Sequence, residues 1–282
     1  MQQRSLLSRL RSNGLYYVIS ALLLLIGVPL YQIAVLTPAG YSNAINAADA
    51  NHFVAYLQWV NAHSDQFLLY RALLLLAFAF LFTQPFTLYR IIVAQELIGQ
   101  IEEEQNEETA QDDTAVEEST TEQDESATLS EDGLPPYAWR GKGFAVIAAW
   151  SGFFGIIAYV IGISASTLYV LIASSGFTNR TPLPANFIML NSTFSITANT
   201  AGIGLLALST LFFGAIIARS GMRLWPGSWV AFAYLALAVA ALLSGSAVAA
   251  FTGQSALTTP AILLFALWLL WLGIMLIRLK PE

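Results

Sequence analysis

The chain contains no cysteine, two histidines and few charges, with 11% of its 282 residues being Asp, Glu, Lys or Arg. The missing cysteine excludes disulfides, thiolate metal sites, iron–sulfur clusters, thioether-attached haem and cysteine nucleophiles. Acids are absent over a long stretch, since no Asp or Glu occurs from Gly133 to Pro281, and no histidine falls within an apolar run. Proton relays, carboxylate-coupled cation transport and bis-histidine haem need those groups at membrane depth. Intramembrane proteolysis would need paired aspartates or a His-Glu-x-x-His run at membrane depth, and no apolar run has either. The histidines His52 and His63 would sit about 16 Å apart along a helix, whereas two ligands of one zinc lie about 4 Å apart. Neither a metal site, nor a cofactor, nor enzymatic activity is expected.

What remains is strongly apolar: 56% of residues are hydrophobic and the mean hydropathy is +0.62. A soluble domain carries about 25% charged residues. Six runs reach the roughly 20 apolar residues that a helix needs to cross a bilayer: about Leu15–Leu36, Leu69–Ala94, Gly143–Ile172, Ala201–Ala218, Trp229–Phe251 and Ala261–Ile277. Lipid offers the backbone no hydrogen-bond partners, so each run reads as a helix; the alternating strands of a barrel are missing. The expected fold is an all-α bundle of six transmembrane helices in one domain, with the lipid bilayer as its first partner.

The net charge of −6 belongs to one segment. Of the 18 acids, all but Asp49, Asp65, Glu96 and Glu282 lie between Glu102 and Asp132, where there is no Lys or Arg. This segment, extending to Pro136 and rich in Ser, Thr and Gln, reads as a disordered loop. It reads as a solvated spacer, with docking of a protein partner as the alternative. Its carboxylates lack the spacing of an EF-hand, and nothing points to nucleic acid.

Orientation follows from the excess of basic residues in cytoplasmic loops. With both termini in the cytoplasm, Arg4, Arg9, Arg11, Arg90, Arg140, Lys142, Arg219, Arg223, Arg278 and Lys280 fall inside, and only Arg71 and Arg180 outside. A cell membrane location, plasma or inner, follows as an expectation. The first run is too long for the 7–15-residue core of a signal peptide and reads as an uncleaved anchor. Outside, Ala44–His63 reads as an amphipathic stretch along the interface, and Gly176–Thr200 as a polar loop. Trp225 in the turn Arg219–Gly227 is placed at the headgroups.

Candidate sites are few. Thr83-Gln84-Pro85 lies near the middle of the second run, where Pro85 removes a helical N–H and clashes with the Leu81 carbonyl, predicting a kink. Gln84 is then a candidate ligand contact, or else simply part of the repair of that kink. Pro29, followed by Tyr31 and Gln32, predicts a second kink near the outer surface. Arg71, at the outer end of the second run, reads most simply as a side chain snorkelling to headgroups, with an anion contact in an outer vestibule as the alternative. Asp65 reads as the cap of the same helix and as a complement to its dipole. Small residues mark two close-packing stripes: Ser151, Gly155, Ala158, Gly162 and Ala165 in the third run, and Ala233, Ala236, Ala240, Ser244 and Ala247 in the fifth. The sixth run has no polar residue at its centre and is expected to face lipid.

Two passages resemble a known family. One is His63-Ser64-Asp65-Gln66-Phe67 with Tyr70-Arg71; the other is Phe213-Gly214 through Ala218-Arg219-Ser220-Gly221, followed by Trp225-Pro226-Gly227. They resemble an uncharacterised bacterial family of six-helix integral membrane proteins, a domain of unknown function. The resemblance implies a six-helix fold in a bacterial inner membrane and carries no activity. The first functional expectation is a non-catalytic accessory, sensory or assembly component, with the acidic loop as its handle. The alternative is a carrier of a small neutral or amphipathic solute or lipid, with Gln84, Arg71, Gln32 and the segment from Asn191 to Thr200 lining an outward vestibule.

Overall fold

A computed structural model describes residues 2–49, 53–96, 142–178, 182–254 and 257–279, and every regular element among the described residues is helical. In chain order these are α1 (Arg9–Leu36), α2 (Tyr41–Asp49), α3 (Phe53–Ala62), α4 (Ser64–Glu96), α5 (Lys142–Ser174), α6 (Phe187–Leu224), α7 (Gly227–Phe251) and α8 (Thr258–Ile277). All but the short α2 and α3 are long and apolar enough to cross a membrane, which gives a multi-pass helical membrane protein with six spans among the described residues. The acidic segment 102–136, His52, Arg140, Arg180 and Lys280 lie outside the described residues.

The six spans form a ring in which each packs on its neighbours in chain order, and α8 closes the ring against α1. The two chain ends therefore meet: Arg11 donates from Nε and Nη2 to the Leu279 carbonyl at 3.1 and 2.5 Å. Apolar burial does not drive helices together in lipid, so close backbone approach must. Glycines supply it at three crossings. A Cβ on Gly155 would stand 2.9 Å from the Gly202 carbonyl oxygen, and one on Gly162 only 2.7 Å from the Ala198 nitrogen, which fixes α5 against α6. Gly214 of α6 faces Ala233 and Ala236 of α7, and Gly14 of α1 faces Gly273 of α8. Ser151, Ala236 and Ala240 are buried as well, whereas Ser244 is exposed and its stripe turns instead through Leu243 and Ser246. On α5 the opposite face, Ile147, Phe154, Ile161 and Leu168, stays exposed at a seven-residue spacing and marks the lipid side.

Several elements differ from the sequence reading. α6 begins at Phe187 rather than near Ala201, so most of the polar stretch read as an outer loop is helix. α8 does not simply face lipid: Trp268, Leu269, Leu272 and Leu276 are buried between α1 and α7, with Trp268 stacked on Phe232 at 5.0 Å. The interior of a membrane bundle is as apolar as its surface, so lack of polarity does not predict the outer face. Trp225 is buried against Trp229 rather than placed at headgroups.

Both predicted kinks have a structural counterpart. In α4 the regular helix stops at Ala79 and resumes at Gln84. The Leu81 and Gln84 amides bond three residues back, to the Phe78 and Leu81 carbonyls. This frees the Ala77 carbonyl, which accepts a 2.8 Å hydrogen bond from Ser20 Oγ of α1. Pro85 packs where Gly152 leaves room on α5. In α1, Pro29 follows a wide turn at Leu23–Gly27, where the Val28 amide reaches back to the Leu23 carbonyl, and a second wide turn spans Gln32–Leu36. Such widened turns absorb the missing proline bond without breaking the helix.

Candidate ligand pocket

The end of the bundle away from the chain termini is covered by α2 and α3, which form a second apolar cluster with Leu36, Phe67, Val170 and Phe187. This corrects the interfacial reading of Ala44–His63, because Tyr56, Leu57, Trp59 and Val60 are buried in protein. Specific bonds fix the cover. Trp59 Nε1 donates to the Ala39 carbonyl at 2.6 Å, and Tyr41 packs on the Trp59 ring at 4.8 Å. Gly40 makes the intervening turn with φ of +85°, a conformation that side chains disfavour. The Gly176 amide donates to Asn61 Oδ1 at 3.2 Å, tying α3 to the end of α5. His63 stacks on Trp59 and contacts its carbonyl through Nδ1 at 3.1 Å, a structural task.

Beneath this cover lies Arg71. Phe67, Leu74 and Phe78, which share its side of α4 at spacings of three to seven residues, are all buried, so Arg71 points inward. The charge sits among Tyr41, Tyr56, Tyr70 and Tyr159, with the residue as a whole half-buried. Its guanidinium carbon is 5.1 Å from the Phe67 ring centre and 5.9 Å from that of Tyr70, within the range of cation–π attraction. Tyr56 Oη is placed to accept a hydrogen bond from the guanidinium. Arg71 Nε is enclosed and has no hydrogen-bond partner, and the same holds for Gln66 Oε1. Asp65 is not the cap of α4 either; His63 holds that position without a side-chain bond, and Asp65 stands in the first turn.

Arg71 forms part of the wall of a cavity of about 370 Å³. Ile45 of α2, Phe53 and Tyr56 of α3, and Ile163 and Ser166 of α5 line one part of it. The first turns of α6 contribute Asn191, Ser192, Ser195 and Asn199, and the end of α7 contributes Phe251 and Gly253. The polar start of α6 tolerates its position because its hydroxyls bond within the helix: Thr193 to the Met189 carbonyl and Thr197 to the Thr193 carbonyl, both at 2.8 Å. A wide turn over Ile196–Gly202 presses Ala198 against Gly162 and sets the cavity's floor.

The electrostatics of the cavity follow from burial. Tyr41 and Tyr56 have their phenol pKa values raised above the ordinary 10.0 by desolvation, and the nearby Arg71 charge offsets this only in part. They remain neutral at physiological pH, so no tyrosinate cancels the guanidinium charge.

Of the residues singled out from the sequence, Arg71 and Asn191 share this cavity. Gln32 is exposed, and its carbonyl takes the Thr37 amide and hydroxyl at 2.8 and 2.9 Å, ending α1. Gln84 is buried at the α4 break, away from the pocket lining. Asn199 lies in the Asn191–Thr200 segment expected to line the vestibule and does line the cavity. Sequence reasoning missed Tyr56 and Ser166, because single tyrosines and serines carry no pattern. No family model, curated protein or solved structure matches the chain.

Proposed function

We propose that this protein is a non-enzymatic carrier of the cell membrane that takes a small amphipathic solute into the pocket between α2, α3, α5 and α6. The observation that carries this reading is the 370 Å³ cavity in which a cation and several amides and hydroxyls meet apolar walls. Ligand sites have this size, and this one is more polar than most, with Arg71, Ser166, Asn191, Ser192, Ser195 and Asn199 in its lining. The distribution of basic residues supports cytoplasmic termini, which puts the pocket on the outer side. The wide turn of α6, which contributes Ile196, Ala198 and Asn199 to the lining, supplies a bending point of the kind carriers place near their binding sites.

Native mass spectrometry of the protein extracted gently from its own membrane tests this reading. The wild type is expected to carry a small-molecule adduct, and Ser166→Trp, which fills the cavity, is expected to lose it. An adduct retained equally by the folded variant contradicts a ligand in this pocket.

A further inference from the structure

We infer that the solute carries a single oxyanionic group, carboxylate or phosphate, which Arg71 holds, and an apolar portion that leaves along Phe251 and Ile196. This rests on the pocket being a ligand site and names what the site selects.

The guanidinium is the starting point. Its carbon lies over the Phe67 and Tyr70 rings, at 5.1 and 5.9 Å from their centres, and neither contact supplies a hydrogen-bond acceptor to its N–H groups. A guanidinium presents five such donors and accepts nothing. Tyr56 is placed to serve one, yet Nε stays enclosed without a partner. A desolvated charge in such surroundings calls for an opposite charge. Among the described side chains no carboxylate faces it, and the chain from Gly133 to Pro281, which supplies the α5, α6 and α7 walls, contains no Asp or Glu at all. The side chain of Asp49, next to Ala48 in the α2 wall, lies outside those described. An oxyanion on the ligand supplies the opposite charge that the described side chains lack. A carboxylate or phosphate matches the guanidinium fork in geometry as well as charge, and Asn191, Ser192 and Asn199 offer neutral donors to its remaining oxygens.

The apolar portion follows from the rim. Phe251 and Ile196 both line the cavity and are 68% and 41% exposed. A purely water-soluble anion would have no use for an apolar exit at the level where α7 ends. The cavity accommodates a headgroup or a short amphiphile, and an alkyl chain longer than that would run out over this rim.

The test uses matched probes on the full-length protein in phosphatidylcholine nanodiscs: dodecyl phosphate, dodecanoate, dodecanol and inorganic phosphate. The two alkyl oxyanions are expected to bind about tenfold or more tighter than dodecanol, as charge-assisted hydrogen bonds imply, and inorganic phosphate much more weakly than dodecyl phosphate. Arg71→Gln is expected to remove the preference for the charged probes, Arg71→Lys to keep part of it, and Ser166→Trp to abolish binding of all. The comparison among probes needs only the wild type, so an unfolded Arg71 variant does not blunt it. Dodecanol binding as tightly as dodecyl phosphate, with Ser166→Trp still abolishing both, overturns the oxyanion and leaves the pocket reading standing. Inorganic phosphate binding as tightly as dodecyl phosphate overturns the apolar portion and identifies a soluble oxyanion instead. Binding that survives both Arg71→Gln and Ser166→Trp, or no binding of any probe, overturns this inference and the pocket reading together.

Discussion

Gly162 and Ala198 meet so closely that a Cβ on the glycine would lie 2.7 Å from the alanine nitrogen. The contact joins α5 to the wide turn of α6 and lies directly behind the pocket, which Ala198 lines. A side chain at Gly162 has backbone in its way rather than a flexible tip, so the helices must part. Gly162→Val is expected to cost about 1–3 kcal/mol and to lower the thermal unfolding midpoint in detergent. It should weaken ligand binding more than an equally destabilising change at Gly14, on the far side of the ring. Equal effects on binding from the two sites would disconnect the crossing from the pocket.

The hydrogen bond from Ser20 to the Ala77 carbonyl repairs the α4 break from a neighbouring helix. Ser20→Ala removes that repair, and a hydrogen bond between membrane helices contributes about 0.6–1.7 kcal/mol. The expected outcome is a modest loss of thermal stability with ligand affinity unchanged. Gln84→Leu should likewise leave affinity unchanged, because Gln84 is not part of the pocket lining. A large loss of affinity in Gln84→Leu would show that the α4 break belongs to the binding site.

The cover over the pocket depends on Trp59, whose indole N–H holds the Ala39 carbonyl at 2.6 Å. Trp59→Phe keeps the ring stacking and removes this bond. It is expected to speed ligand dissociation several-fold and to raise protease cleavage within 37–62, both measurable on purified protein. Unaltered dissociation would mean that α2 and α3 do not gate the site.

Burial raises the Tyr41 and Tyr56 phenol pKa values above 10.0. The folded protein keeps these protons to higher pH than the unfolded chain does, so above about pH 10 the unfolded state binds fewer protons and stability falls as pH rises. Between about pH 7 and 9 these groups leave stability flat. Thermal unfolding followed across this range and up to about pH 11 should show a plateau and then a decline. In Tyr41→Phe the decline should be shallower.

How much of this was readable in the chain depends on which physical constraint was at work. A bilayer imposes a length and forbids unpaired backbone, so the six spans stand out from apolar runs alone. The start of α6 was hidden because Asn191, Ser192, Thr193 and Ser195 lower the local hydropathy, although the hydroxyls of Thr193 and Thr197 bond inside their own helix. The inward turn of Arg71 was hidden for a different reason. Leu68, Leu69 and Leu73 are as apolar as Phe67, Leu74 and Phe78, so no amphipathic stripe tells which side faces protein. The position of Arg71 near a helix end fits headgroup contact equally well. Closing the pocket also takes α2 and α3, whose fold over the ring depends on contacts far apart in sequence, such as Asn61 with Gly176.

Because the chain has no cysteine, one introduced at Ser192, in the pocket wall, is a unique reporter. Labelling of Ser192→Cys in intact cells with a membrane-impermeant maleimide shows whether this polar pocket opens to the outside. A ligand pocket on the outer face gives labelling without permeabilisation, slowed by dodecyl phosphate. Labelling that appears only after the membrane is opened, or that dodecyl phosphate leaves unchanged, would contradict it.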